Sequence, residues 1–303
     1  MNTLKILLST YNGEKYLKQQ LDSLFSQTYK NFEIIARDDG SQDKTLEILR
    51  SYDITIIDSK ENLGAKGSFG ELLEYAVQNS DADYFMFCDQ DDVWEDDKIE
   101  KTLVKMQEMQ SQYHDEALLV HTDLKVVDEK LNILDNSFWK YEHIKPKVNG
   151  LNKLLMQNTI TGCTVMINKK LADLALPIPS DSIMHDWWLG LVASKFGKIG
   201  YLDEATMLYR QHGNNDTGAK KYNLSYIANK FKQLKNINLN KNMLQAKVFL
   251  TRFREQLDND TIIMLEEFID IKNKSFVKKR KILIEHKLFK QGFIRNVGVM
   301  VTI

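Results

Sequence analysis

Between residues 4 and 121, five short apolar runs (4–8, 32–36, 54–57, 84–88 and 118–121) alternate with stretches at 16–26, 44–52, 69–79 and 96–110 whose apolar residues recur at helical spacing. Runs this short, separated by helical segments, have the rhythm of βαβ units, and such units build a mostly parallel sheet flanked by helices. The expected fold class is therefore α/β. Three of the runs end in polar turn-formers: Ser9-Thr10-Tyr11-Asn12-Gly13, Asp38-Asp39-Gly40-Ser41 and Asp89-Gln90-Asp91-Asp92. Parallel strands point the same way, so all three strings fall on the carboxyl edge of the sheet, where open α/β folds bind ligands.

The last string is the most specific. Three carboxylates within four residues repel one another, and a hard divalent cation, Mn2+ or Mg2+, shared with a phosphate-bearing ligand makes such a cluster favourable. In this arrangement Asp89 can reach a ribose hydroxyl or a metal-bound water, Asp91 can coordinate the cation, and Asp92 is the member most readily released to a helix cap. In the second string, a carboxylate at a strand end can accept the imide N–H of a pyrimidine, and Gly40 permits a tight turn. The same residues also make a plain turn with a helix cap.

Two further groups lie downstream. In His185-Asp186-Trp187-Trp188, a carboxylate beside indole rings suits a sugar, and Asp186 can take the proton of an attacking hydroxyl. The alternative is an N-cap with two core tryptophans. Arg210 and His212 end a strand-like stretch, where they can meet a diphosphate.

Charge divides the chain. Residues 1–222 hold 25 Lys or Arg against 35 Asp or Glu, while residues 223–303 hold 16 against 7. The acidic body argues against nucleic-acid binding, and the second part reads as a basic helical region. Lys278-Lys279-Arg280-Lys281, set between Phe276-Val277 and Ile282-Leu283-Ile284, suits an anionic membrane surface; a solvated helix face or a homo-oligomer interface is the other reading. Cys88 and Cys163 lack CxxC spacing, which points to a reduced, cytoplasmic protein, and no stretch approaches the ~20 apolar residues of a membrane span. The expected organisation is a catalytic domain over 1–222 and a helical region over 223–303.

Taken in order, and together with Asn62-Leu63-Gly64 and Thr161-Gly162-Cys163, these strings resemble family-2 glycosyltransferases with the GT-A fold over about residues 3–215. Asp-Gln-Asp-Asp-Val-Trp, His-Asp-Trp-Trp and Tyr-Arg-Gln-His are most similar to bacterial rhamnosyltransferases of cell-wall and capsular polysaccharide synthesis. The resemblance implies a nucleotide-sugar donor, dTDP-rhamnose or a UDP-sugar, and a glycan or lipid-linked acceptor. It implies that Thr10, Tyr11 and Glu14 line the nucleotide pocket, Asp39 holds the base imide, Asp89 faces the ribose, Asp91 ligates the metal and Asp186 is the base of an inverting displacement. Gly162, Cys163, His185, Trp187 and Trp188 fall on the acceptor side. Phe69-Gly70 stands where many members carry Arg-Asn, so a diphosphate or base contact is missing or relocated, with Lys66 and Arg210 as candidates. No GxGxxG follows the first run, which disfavours a dinucleotide oxidoreductase. A non-catalytic sugar-nucleotide binding module is the competing class.

Overall fold

A computed structural model describes residues 3–59, 61–212 and 239–303. Strands β1 (Leu4–Thr10), β2 (Phe32–Asp38), β3 (Thr55–Asp58) and β4 (Tyr84–Cys88) pair in parallel in the order β3-β2-β1-β4. Helices α1 (Leu17–Phe25), α2 (Thr45–Arg50) and α3 (Gly64–Gln78) make the crossovers. Leu8 pairs with both Ala36 and Cys88, and Thr10 pairs with Asp38, so the three polar strings leave the sheet side by side. All five residues of β4 are buried, as a strand covered on both faces requires.

The acidic string is held on both flanks. Directly after it comes β5 (Val93–Trp94), which pairs antiparallel with β9 (Gly197–Arg210), and α4 (Lys98–Gln112) then leads to β6 (Ala117–Val127). The strand β8 (Met166–Asn168) lies between β4 and β6, antiparallel to both, while β6 and β9 run parallel. The polar stretch at 132–150 contains β7 (Ile133–Asp135), paired with β6, and α5 (Phe138–Tyr141). The strand-like stretch expected to end at Arg210 and His212 is the end of β9, which stops at Arg210 and whose register against β6 shifts near Asp123, so its apolar pattern is interrupted.

Four short elements complete the body: α6 (Leu151–Leu154), a 3-10 turn at Gly162–Thr164, α7 (Lys169–Ala175) and α8 (His185–Phe196). The C-terminal part is helical as expected, with α9 (Asn240–Phe253), α10 (Asn259–Ile269), α11 (Phe276–Glu285) and α12 (Phe293–Thr302). The expected boundary between 222 and 223 lies outside the described residues.

These helices share the apolar core of the body. Trp188, fully buried on α8, packs against Phe249 and Phe253 with ring centroids 5.8 and 6.1 Å apart, and Phe196 lies 4.8 Å from Phe253. The same cluster takes in Leu265, Phe268, Ile282 and Leu283 together with Leu119, Ile167 and Leu189 of the body. Truncating a ring in such a cluster removes transfer energy and leaves a cavity. Phe249→Ala should therefore cost about 3–5 kcal/mol in urea denaturation and lower a single transition shared by body and tail. Two resolved transitions, with that of the body unmoved, would contradict shared packing.

Candidate active site

A cavity of about 750 Å³ opens at the carboxyl edge of the sheet, a size suited to a nucleotide-sugar ligand. Its wall includes Tyr11, Asp39, Asp89, Asp91, Gly162, His185, Asp186 and Trp187. Residues separated by up to 176 positions in the sequence thus face one space. The three sheet-edge strings form one part of its wall, and the start of α8 contributes another.

Asp39 is oriented by its neighbours. Arg37, fully buried on β2, donates to Oδ1 of Asp39 and also binds Glu71 and Ser59. The backbone N–H of Leu63 donates to the same oxygen at 2.9 Å, and that of Gly64 donates to Oδ2 at 2.8 Å. Gly64 adopts φ +67°, a conformation that strains side-chain-bearing residues, which explains the glycine of Asn62-Leu63-Gly64. Asp38 points elsewhere, accepting from Thr10 Oγ1, Ser41 Oγ and the Ser41 N–H, and so shapes the turn.

The first string is tied to the acidic one by a residue that sequence reasoning passed over. The Gln90 amide accepts from the Tyr11 N–H at 2.8 Å and donates to the Tyr11 carbonyl at 2.9 Å. A Cβ on Gly13 would stand 2.2 Å from Gln90 Oε1, so a glycine lets this amide pass. Its position between two acids was the available signal.

Within the acidic string the three carboxylates occupy different surroundings. Asp91 Oδ2 lies 2.7 Å from His212 Nε2. Asp92 is fully buried behind the wall, accepts from the Arg210 N–H at 3.0 Å, and has its carboxyl pushed well above the usual range by burial and then by Asp91 and Asp89. Its neighbour Cys163 is buried, and burial pushes its thiol up as well. Asp89, Asp92 and Cys163 bring ligand-type atoms within 4.8 Å of one another. Beneath them burial lowers Lys98 to about 8, and its ammonium lies 4.7 Å from the Trp94 ring centroid.

Asp186 is buried at the first turn of α8. Its Oδ1 accepts from the Trp187 N–H at 2.6 Å and its Oδ2 from Asn158 Nδ2 at 3.2 Å. A helix N-terminus and these donors favour the anion, yet desolvation outweighs them and raises the carboxyl to about 6. It is thus a carboxylate at neutral pH and a stronger base than an exposed one. Asn158 carried no sequence signal. His185 is nine-tenths buried against Phe69 and Phe87, with centroids 4.3 and 5.0 Å away, and burial lowers it to about 3, so its ring is neutral. A Cβ on Gly162 would come within 3.0 Å of His185 Nε2, which accounts for glycine at that turn.

Several residues named from sequence do not line the cavity. Thr10 is buried with its hydroxyl on Asp38, and Glu14 accepts from the Lys44 N–H at the start of α2. Lys66 donates to the carbonyls of Ser180 and Ser182. Arg210 donates to the carbonyls of Asp91 and Glu129 and to Gln19, so its guanidinium clamps the acidic turn. His212 stands behind Asp91 and beside the Tyr16 ring at 4.9 Å, and Cys163 stands behind Asp92. Trp188 belongs to the core, where its Nε1 donates to the Ala175 carbonyl, whereas Trp187 stays at the cavity and donates to the Leu154 carbonyl. Helical geometry separates the two indoles, since adjacent residues on a helix point about 100° apart.

Comparison with known proteins agrees with this architecture. The glycosyl transferase family 2 model matches residues 5–174, and the chain belongs to that family, with a GT-A fold. It is similar to the dTDP-rhamnosyl transferase RfbG of Shigella flexneri, at 30% identity over 75% of this chain and 78% of that one. It is also similar to the teichuronic acid biosynthesis glycosyltransferase TuaG of Bacillus subtilis, described as putative, at 28% identity over 72% and 82%. The structure of S. aureus TarS 1-349 in complex with UDP-GlcNAc superposes with a TM-score of 0.52 at 17% identity, covering 94% of this chain and 79% of that one. The chain spans 65% of the length of a Rickettsia typhi glycosyltransferase to which it is 29% identical over 71% of its own residues.

The raised Asp186 carboxyl has a stability consequence. A carboxyl whose folded value exceeds its unfolded one opposes folding above that value, and the penalty fades as pH falls toward the unfolded value. At pH 7.5 the charge costs on the order of 3 kcal/mol. Asp186→Asn should therefore raise Tm by several degrees at pH 7.5, with the gain closing near pH 4. An equal or lower Tm at pH 7.5 would contradict the buried charge.

Proposed function

We propose that the protein transfers a sugar, L-rhamnose from dTDP-rhamnose, to a lipid-linked or growing bacterial surface polysaccharide, with inversion at the anomeric carbon. The observation that carries this reading is Asp186, a buried, basic carboxylate on the wall of the cavity that also holds Asp39, Asp89 and Asp91. The similarity to RfbG supports the choice of donor. Among the described residues Asp39 Oδ2 accepts only the Gly64 N–H, so one acceptor site is left for a pyrimidine imide. Uracil and thymine carry the same N–H, which is why the base alone does not select the sugar.

In the reaction, Asp186 accepts the proton of the acceptor hydroxyl as its oxygen bonds the anomeric carbon. The bond from that carbon to the diphosphate oxygen breaks, and the nucleoside diphosphate leaves with the electron pair. A single base aligned opposite the leaving group suffices, and no covalent enzyme intermediate enters. Trp187 at the cavity offers an apolar face to sugar C–H groups.

The residues fit a divalent cation. Asp91 brings a hard carboxylate to the cavity, and His212, standing behind it, holds its Oδ2 at 2.7 Å and so orients it. The group of Asp89, Asp92 and Cys163 suits a hard cation less, because its thiol and Asp92 are buried behind the wall. Bound at Asp91, the ion would neutralise charge on the departing diphosphate.

The test is release of nucleoside diphosphate from a donor panel by the purified chain. Turnover should be highest with dTDP-rhamnose and fall at least ~100-fold in Asp91→Ala or on chelation, the scale of losing one stabiliser of the developing charge. Preference for a UDP-hexose would move the donor within the family. Full activity in excess chelator would remove the metal role, and binding of a nucleotide sugar without turnover in any acceptor extract would favour a binding module.

A further inference from the structure

The last 28 residues present a surface that neither the core nor the cavity uses. On α11, Phe276 and Val277 are 70% and 75% exposed, and Ile284 is also exposed; on α12, Phe293 is 83% exposed and Val301 is exposed too. Positions 293, 297 and 301 share one face of α12, so its apolar residues form a stripe. Apolar side chains this exposed are rarely left without a partner when they come as a group. Ile282 and Leu283 on the inner side of α11 are buried, so the helix is docked by one face and offers the other.

The charge of this segment is predominantly positive. Residues 276–303 hold seven Lys or Arg and a single Glu. Lys278 pairs with Glu267, and Arg280 donates to the carbonyls of Met300 and Ile303, which brings the end of α12 to the middle of α11. Lys279, Lys281 and Lys287 have no ion-pair partner among the described residues, and Lys281 and Lys287 are exposed. Exposed Phe and Val beside uncompensated lysines match the acyl boundary and the headgroups of an anionic bilayer, and match an acidic or neutral protein surface less well. Among the described residues no helix is long and apolar enough to cross a membrane, so contact would be at the surface.

The same segment braces the cavity. Arg295 of α12 donates to the Glu142 carbonyl at 2.9 Å, and the Gln291 N–H donates to Gln157 Oε1 at 2.9 Å; both Glu142 and Gln157 line the cavity. We propose that the outer face of α11 and α12 docks on an anionic lipid surface and so holds the cavity wall at Glu142 and Gln157 next to the bilayer, where a lipid-linked acceptor would lie. The docking goes beyond the sugar-transfer reading and stands whatever the donor is.

The experiment is flotation of the full chain with vesicles of phosphatidylcholine alone or with phosphatidylglycerol, at low and high salt. The chain should float with the phosphatidylglycerol vesicles and be released by salt. Reversing Lys281 and Lys287 (Lys281→Glu, Lys287→Glu) should weaken binding at least ~10-fold, and so should the pair Val277→Ser, Phe293→Ser. Both variants should keep the wild-type Tm and the wild-type rate of nucleoside diphosphate release from soluble donor, which separates this test from failure of the transfer reading. Absence of flotation, equal flotation with neutral vesicles, unchanged flotation of both variants, or a salt-insensitive dimer through this face with no vesicle binding would each overturn the proposal.

Discussion

Parallel pairing of β1 with β2 and β4 is the constraint on which the site depends. A strand buried on both faces has no room for solvated polar side chains until it ends, so its polar residues collect at the terminus. Because Leu8 stands between Ala36 and Cys88 in register, three such termini are aligned, and Asp39, Asp89 and Tyr11 emerge within reach of one ligand. Pairing of β5 with β9 immediately after the acidic turn then fixes the downstream flank of the turn. The cavity is thus a consequence of strand order, and the side chains at its rim are positioned by the backbone before any ligand arrives.

Desolvation then sorts the titratable groups. It raises Asp186 to about 6, lowers His185 to about 3, raises Asp92 and lowers Lys98 to about 8. Neighbouring His185 and Asp186 are driven toward a neutral ring and a stronger base by the same cause, acting on groups of opposite charge type. Arg37 works in another way. Its buried guanidinium spends its donors on Asp39, Glu71 and the loop at Ser59, so Asp39 is held on the cavity wall with a fixed orientation.

Much of this was legible in the chain because it follows from local pattern. Period and run length located the first four strands, and the acids at their ends marked the functional edge. The expected strand at 84–88 is β4 itself. What was hidden depended on contacts across the sheet. Arg210 at a strand end looks like a phosphate ligand, but its guanidinium is consumed by Asp91, Glu129 and Gln19. Trp187 and Trp188 are adjacent letters with opposite destinations, and only the packing of α9 against α8 decides which indole is core. Asn158 reaches Asp186 from 28 residues away, a pairing no spacing rule encodes.

The central claim is that Asp186, dehydrated at the start of α8, removes the acceptor proton. Its most direct test is the pH dependence of kcat/KM for sugar transfer, in the wild type and in Asp186→Asn. The wild type should show an acidic limb with an apparent pKa near 6, and the variant should lose at least ~100-fold in rate together with that limb, while binding donor as before. A variant that transfers sugar at the wild-type rate, or that keeps the limb, would contradict the assignment.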